Sequence, residues 1–356
     1  MHVRFLLKEI VAMKKPVPEK KTSNQTRFAI SMTAGILGLL VMLALTMQFG
    51  ATRITWEELF QVLFHFDSGN FTHLTVRDIR LPRFVADMIV GASLSVAGAI
   101  MQGTTKNPMA DSGIMGISAG STLGVVMVLA FIPEAGRFTK MGISALGAGS
   151  VTLLIYLIAY AGKGKITPDR MVLSGMAIST LLSSLTTAII LKNGLMTQML
   201  RYTSGSSANT IWKDLAIAAP FFAAGVVTSI LISRSLTVMN LGEDVSRGLG
   251  ANTALIRLLS TIIVLVLSAV AVIIIGPVGY IGLMIPYIAR FVVGTDYRLV
   301  LPVCCVFGSF FVTLVDFAAK NFHPGREFPI GLMITMVGVP FFVYVSRRQE
   351  GEQFSG

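Results

Sequence analysis

Ten apolar runs recur along the chain, at 28–49, 84–103, 113–132, 141–162, 171–192, 215–233, 254–275, 278–293, 299–318 and 328–345. Each is near the ~20 residues that a helix needs to cross a bilayer's hydrocarbon core. In lipid every backbone N–H and C=O must be satisfied within the protein, and an apolar run of this length does so as an α-helix. Composition points the same way. Hydrophobic residues make up 53% of the 356 positions and charged residues 13%, against about 25% charged in soluble domains. That is too little charge to coat a water-soluble globule. The fold class expected is an all-α integral membrane protein of about ten transmembrane helices, the eighth short and bearing Pro286. The expected organisation is a basic tail over 1–27, a membrane domain over 28–348 and a short tail over 349–356. The first run is too long for a signal-peptide core and reads as a retained helix. The tail before it is compatible with a start at Met1 or at Met13.

An even number of spans puts both termini on one side. With that side inside, the inner segments hold 18 of the 29 lysines and arginines, in keeping with the positive-inside tendency. The net charge of +11 therefore fits anionic lipid headgroups, because it sits in short connectors and one tail; a nucleic-acid partner is not expected. Cys304 and Cys305 are adjacent inside an apolar run and offer neither a disulfide framework nor metal spacing. His2, His65, His73 and His323 all fall outside the apolar runs. The glycines and lysines of "YAGKGK" (160–165) do not make a phosphate-binding loop. The chain is thus expected to be no enzyme, to hold no cofactor or metal, and to leave any ATP to partner subunits. Asp87 and Asp316 lie in or near spans, where carboxylates are functional candidates. Asp87 is within a turn of Arg83, a possible partner, and Asp316 is near enough to the outer end to reach water. No line of acids crosses the bundle, so proton-driven pumping is poorly supported.

This orientation places "RDIRLPRFV" (77–85) outside, with Arg77, Arg80 and Arg83 at spacing three. Positive charge there opposes the topology tendency. An acidic surface of a docking protein would explain it, and arginines reaching lipid phosphates are the plainer reading. Arg326, beside Glu327, is the other outer arginine next to a span. "GASLSVAGA" (91–99), "GISAGSTLG" (116–124) and "GISALGAGS" (142–150) carry small residues that let helix backbones approach closely. "QGTTKNPMADSG" (102–113) is a polar break, either an internal gate or an inner loop. The inner connector 233–257 is too long for a turn. Asn240 could cap a short helix with Glu243 and Asp244 in its first turn, Val245 and Leu249 on one face, and Gly248 and Gly250 at its end. Such a knob suits a partner's groove, and a capped linker is the alternative.

Five blocks in order resemble the FecCD-type permeases of ATP-binding-cassette importers. They are "RLPRFVADMIVGASLSVAGAIMQG" (80–103), "KNPMADSGIMGISAGSTLG" (106–124), "LGEDVSRGLGANTALIR" (241–257), "GPVGYIGLMIPYIARFVVGTDYRLVLP" (276–302) and "REFPIGLMITMVGVPFFVYVSRR" (326–348). The resemblance implies a ten-helix permease subunit in the cytoplasmic membrane. It implies a second permease subunit, identical or paralogous, two cytoplasmic ATPase subunits and an extracytoplasmic binding protein. The cargo implied is an iron(III)–siderophore complex, with haem or cobalamin as the alternative. An ion-coupled secondary transporter is the competing class. By resemblance, Arg80 and Arg83 dock the binding protein, with Arg77 and Arg326 nearby. The segment Leu241, Gly242, Glu243, Asp244, Val245, Ser246, Arg247, Gly248, Leu249 and Gly250 resembles the helix that enters the ATPase groove. Where the family has Pro-His in the eighth span, this chain has Pro286-Tyr287.

Overall fold

The structure, a computed structural model, describes residues 24–50, 52–111, 116–161, 168–322 and 328–353. Among these the regular structure is helical, with no strand. The elements are α1 (Asn24–Gln48), α2 (Trp56–Phe64), α3 (Phe71–Leu74), a π-helical turn (Thr75–Arg80), α4 (Leu81–Thr105), α5 (Ile117–Phe131) and α6 (Arg137–Ala161). Then follow α7 (Pro168–Lys192), α8 (Met196–Thr203), α9 (Trp212–Asn240), α10 (Glu243–Gly248), α11 (Thr253–Ile275), α12 (Ile281–Val293), α13 (Tyr297–Asn321) and α14 (Ile330–Gln353). Seven helical segments are long and apolar enough to cross a membrane, and α5, α12 and Ile330–Val345 are shorter apolar helices. Together they coincide with the ten runs of the sequence.

The centre of the bundle is the continuous rod Phe71–Thr105, whose most apolar stretch is 89% buried, against 11% for α7 at the periphery. Small residues explain how α4 can be so enclosed. It packs on α9, α11, α12 and α13, and a Cβ at Gly91 would overlap the Gly308 carbonyl, one at Gly98 the Gly282 carbonyl. Backbones in lipid approach this closely only where side chains are absent. Gly120 and Gly147 do the same for α5 and α6.

The predicted third and eighth runs begin later as helices, at Ile117 and Ile281. Gly276 has φ +85° and Tyr280 φ +69°, both outside the helical region, so residues 276–280 cannot continue α11. They descend until Gly282 lies against Gly98, within α4. Non-helical backbone at that depth must be satisfied by protein. Beside it, Ser206 N–H donates to Ile275 O (3.2 Å) at the end of α11, and the neighbouring non-helical residues 204–205 accept from the start of α14, Ile330 N–H to Gly205 O (3.2 Å) and Gly331 N–H to Ser204 O (3.1 Å).

Candidate functional site

At the expected outer end, Pro82 shapes the arginine motif. It has no N–H to give the Asp78 carbonyl, so the helix widens into the π-helical turn Thr75–Arg80, with the Leu81 N–H donating to Val76 O instead. The three arginines consequently part company. Arg77 stays exposed, its guanidinium 4.8 Å from the centre of the Phe66 ring, while its carbonyl accepts from Trp212 Nε1 at 2.8 Å. Arg80 is buried and donates to the carbonyls of Met47 and Thr52. Met47 lies in the last turn of α1, whose carbonyls have no partner within the helix. Arg80 therefore closes the end of α1.

Arg83 is buried as well. Its Nη2 is 2.8 Å from Asp316 Oδ1, and Lys320 Nζ is 2.6 Å from Asp316 Oδ2. The partner of Arg83 is thus Asp316, on α13, and not Asp87. Asp316 is wholly buried and does not reach water. Asp87 lies one turn deeper, 1% exposed, with Oδ1 lacking a hydrogen-bond partner among the described residues. Of the arginines expected to dock, Arg77 is thus exposed, whereas Arg80 and Arg83 are 8% and 5% exposed. Arg326 lies outside the described residues. The sequence reading missed Arg137, which pairs with the buried Asp214 at 2.7 Å, and Lys320, although its i,i+4 spacing from Asp316 was a legible signal.

Deeper in, the polar break after α4 is more than a loop. Gln102 Nε2 donates to Gly282 O at 2.9 Å, and Arg290 Nη2 donates to Gln102 Oε1. A Cβ at Gly282 would meet Asp111 Oδ1, which places that carboxylate beside the first turn of α12. The break and the first turn of α12 thus meet inside the bundle. Tyr287, at the family's histidine position, packs edge-on against Phe341 of α14, with ring centres 5.8 Å apart.

At the expected inner end, α10 projects between α9 and α11. Asn240 is the last residue of α9 and not the cap; the cap is Gly242, whose φ of +133° only glycine adopts readily. Ser246 is buried and donates to Val238 O at 2.9 Å, anchoring the helix to α9. Leu241, Val245 and Leu249 stand out, 64%, 51% and 66% exposed. Gly250 turns the chain away at φ +80°. The backbone of Glu243 and Asp244 opens α10, but their side chains lie outside the described residues.

The chain as a whole is similar to known proteins. The model of the FecCD transport family matches residues 37–348. The iron(3+)-hydroxamate import system permease protein FhuB of Bacillus subtilis is 34% identical over 92% of this chain and 85% of its own length. The Fe(3+)-citrate import system permease protein YfmD of the same organism is 35% identical over 92% and 96%. A metal-chelate type ABC transporter solved in an inward-facing conformation shares the fold, with a TM-score of 0.79 at 23% identity over 89% of this chain and 98% of that one. A bundle of apolar helices with this match along nearly all of its length belongs to the FecCD transport family: the chain is a membrane permease subunit of an ATP-binding-cassette importer, a transport component and not an enzyme, of the kind that works with an ATPase and a substrate-binding protein.

Proposed function

We propose that the chain carries iron(III)–siderophore complexes into the cytoplasm as one of two permease subunits, with two ATPase subunits inside and a binding protein outside. The observation that carries the substrate is the identity of 34% and 35%, over 92% of the chain, with permeases named for iron(3+)-hydroxamate and Fe(3+)-citrate. ATP belongs to the partner subunits, and this chain holds no cofactor. The exposed apolar face of α10, anchored by Ser246, is the coupling contact with an ATPase groove. At the other end Arg77 is the exposed docking charge, held in place by Arg80 and Arg83 beneath it, with Arg326 a further candidate. The membrane is the cytoplasmic one, both termini inside.

The test is reconstitution of the chain with its binding protein and ATPases in proteoliposomes, with ⁵⁵Fe-siderophore uptake as readout. Uptake that requires both ATP and the binding protein is expected. Uptake driven by an ion gradient without ATPase would instead establish a secondary transporter.

A further inference from the structure

The short helix α2 lies outside the ten apolar runs and shows three kinds of surface. Thr55 and Glu58 close a capping box at its start, and the Ile54 N–H donates to Gln48 O at 3.0 Å, which pins it to the end of α1. Leu59 and Val62 turn inward and join the core around Met42, Met47 and Val76. Glu57, Glu58 and Gln61 fall together as a polar strip at helical spacing. Between these two surfaces Trp56, Phe60, Leu63 and Phe64 are 51%, 61%, 76% and 73% exposed. An apolar face of that bulk beside a polar strip is the pattern of a helix lying in a membrane interface.

An apolar groove of about 530 Å³ separates α2 from α1. Leu40 and Ala44 line it on α1, Trp56, Phe60 and Leu63 on α2, and Arg77 is the single charged residue among those lining it. Its depth decides what can fill it. With 25 residues, α1 is about 38 Å long at 1.5 Å per residue, so a hydrocarbon core of about 30 Å covers all but its ends. Leu40 is eight residues before Gln48, and the groove therefore descends about 12 Å along α1, most of it at hydrocarbon level. Leu37, Leu40 and Val41 are all exposed on the same face of α1 as Ala44. The groove is thus continuous with the surface that α1 turns to lipid. Trp56 and Arg77 are the residue types that sit at headgroup level, with an apolar body below and a polar end in the interface.

We infer that α2 is an interfacial helix of the outer leaflet, and that the groove between it and α1 seats one acyl chain of a phospholipid. A soluble partner does not reach that depth, and water would wet an apolar wall there. A hydrocarbon chain fills the groove at no such cost. The chain also supports the wall on which Arg77 stands, since the Phe66 ring under its guanidinium lines the same groove. The inference is independent of the cargo.

The probe is a phosphatidylcholine with brominated acyl chains, titrated into the detergent-purified permease–ATPase complex. Bromine quenches an indole only on contact from the chain region, and iodide only from water. The signal of Trp56 is the part present in wild type and missing in Trp56→Phe. The brominated lipid should quench it saturably, at a single lipid per chain, and iodide should not. Ala44→Phe, which fills the groove from its α1 wall, should lose the saturable quenching. Leu40→Phe with Leu63→Phe adds bulk from exposed positions of the lining and gives the same reading if Ala44→Phe does not assemble. Val41→Phe, on the exposed face of α1 outside the lining, should behave as wild type. Quenching by iodide and not by the lipid would place the aromatic face in water, open to a soluble partner, and overturn the inference. Quenching that never saturates and is equal in the filled variants would leave α2 touching bulk lipid with no seated chain, which overturns it as well. Neither result bears on the transport reading, which ATP-dependent uptake tests separately.

Discussion

Arg83 and Asp316 are 233 positions apart in the chain and meet at 2.8 Å in its interior, and that contact buries one of the two arginines of "RLPR". Both arginines of "RLPR" were legible in the sequence as unusual. Their roles were not, because nothing local says which carboxylate or carbonyl a side chain will meet after packing. Asp316→Ala should strand Arg83 and Lys320 as buried cations and cost about 3–5 kcal/mol. Thermal unfolding in detergent would show this as a large drop in midpoint. Arg77→Glu should leave that midpoint in place, since the side chain is 58% exposed. It should instead weaken binding-protein affinity in nanodiscs at low salt, with the difference shrinking as salt screens it. Equal affinities at all salt concentrations would remove Arg77 from the dock. A smaller residue-level effect sits at α2. Hydrogen bonds from the Thr55 backbone and side chain hold the Glu58 carboxyl below the usual carboxylate range. A lowered folded-state value means that the capping box contributes above the ordinary carboxylate range and is lost as pH falls through the lowered value. The protection of α2 amides, taken relative to their intrinsic exchange rate at each pH, should therefore fall on acidification in wild type, and should be low and independent of pH in Glu58→Ala.

Among elements, α10 shows how far pattern reading reaches. Its position, its apolar face and its glycine stop were readable from spacing. Its cap was misassigned to Asn240, because that residue instead extends α9, and Gly242 takes a backbone conformation that no sequence pattern discloses. Val245→Asp with Leu249→Asp should leave insertion intact and abolish co-purification of the ATPase subunits, because both side chains are more than half exposed and serve no internal packing. Normal co-purification and uptake would reduce α10 to a linker. For α4 the test is steric. Gly98→Val would force a side chain into the Gly282 carbonyl, an obstruction by backbone that cannot rotate away. The cost should exceed the ~1–3 kcal/mol usual for overpacking a core, seen as loss of folded protein in the membrane. The matched Gly149→Val, on a helix face where a Cβ would meet nothing, should be tolerated.

For the whole molecule the orientation can be checked with single cysteines in a background lacking Cys304 and Cys305. Ser68→Cys should react with an impermeant thiol reagent in intact cells, and Leu249→Cys only after the membrane is opened; both positions are exposed. The reverse pattern would invert the bundle and exchange its docking and coupling ends. The all-helical class, the approximate limits of the apolar runs and membrane residence were legible in the sequence alone. The bilayer imposes one length and one hydrogen-bonding solution on every span, so the information is local. The break at 102–113 was visible as polar residues between apolar ones, yet whether it was a gate or a loop stayed open. Only the tertiary structure decided that it meets the first turn of α12, that Gln102 ties α4 to Gly282 and Arg290, that Arg80 and Arg83 are buried, and that a hydroxyl-lined cavity lies between α5, α7 and α8. Those outcomes depend on which helix faces become neighbours, and neighbours distant in sequence are selected by close backbone approach and by the need of each buried polar group for a partner.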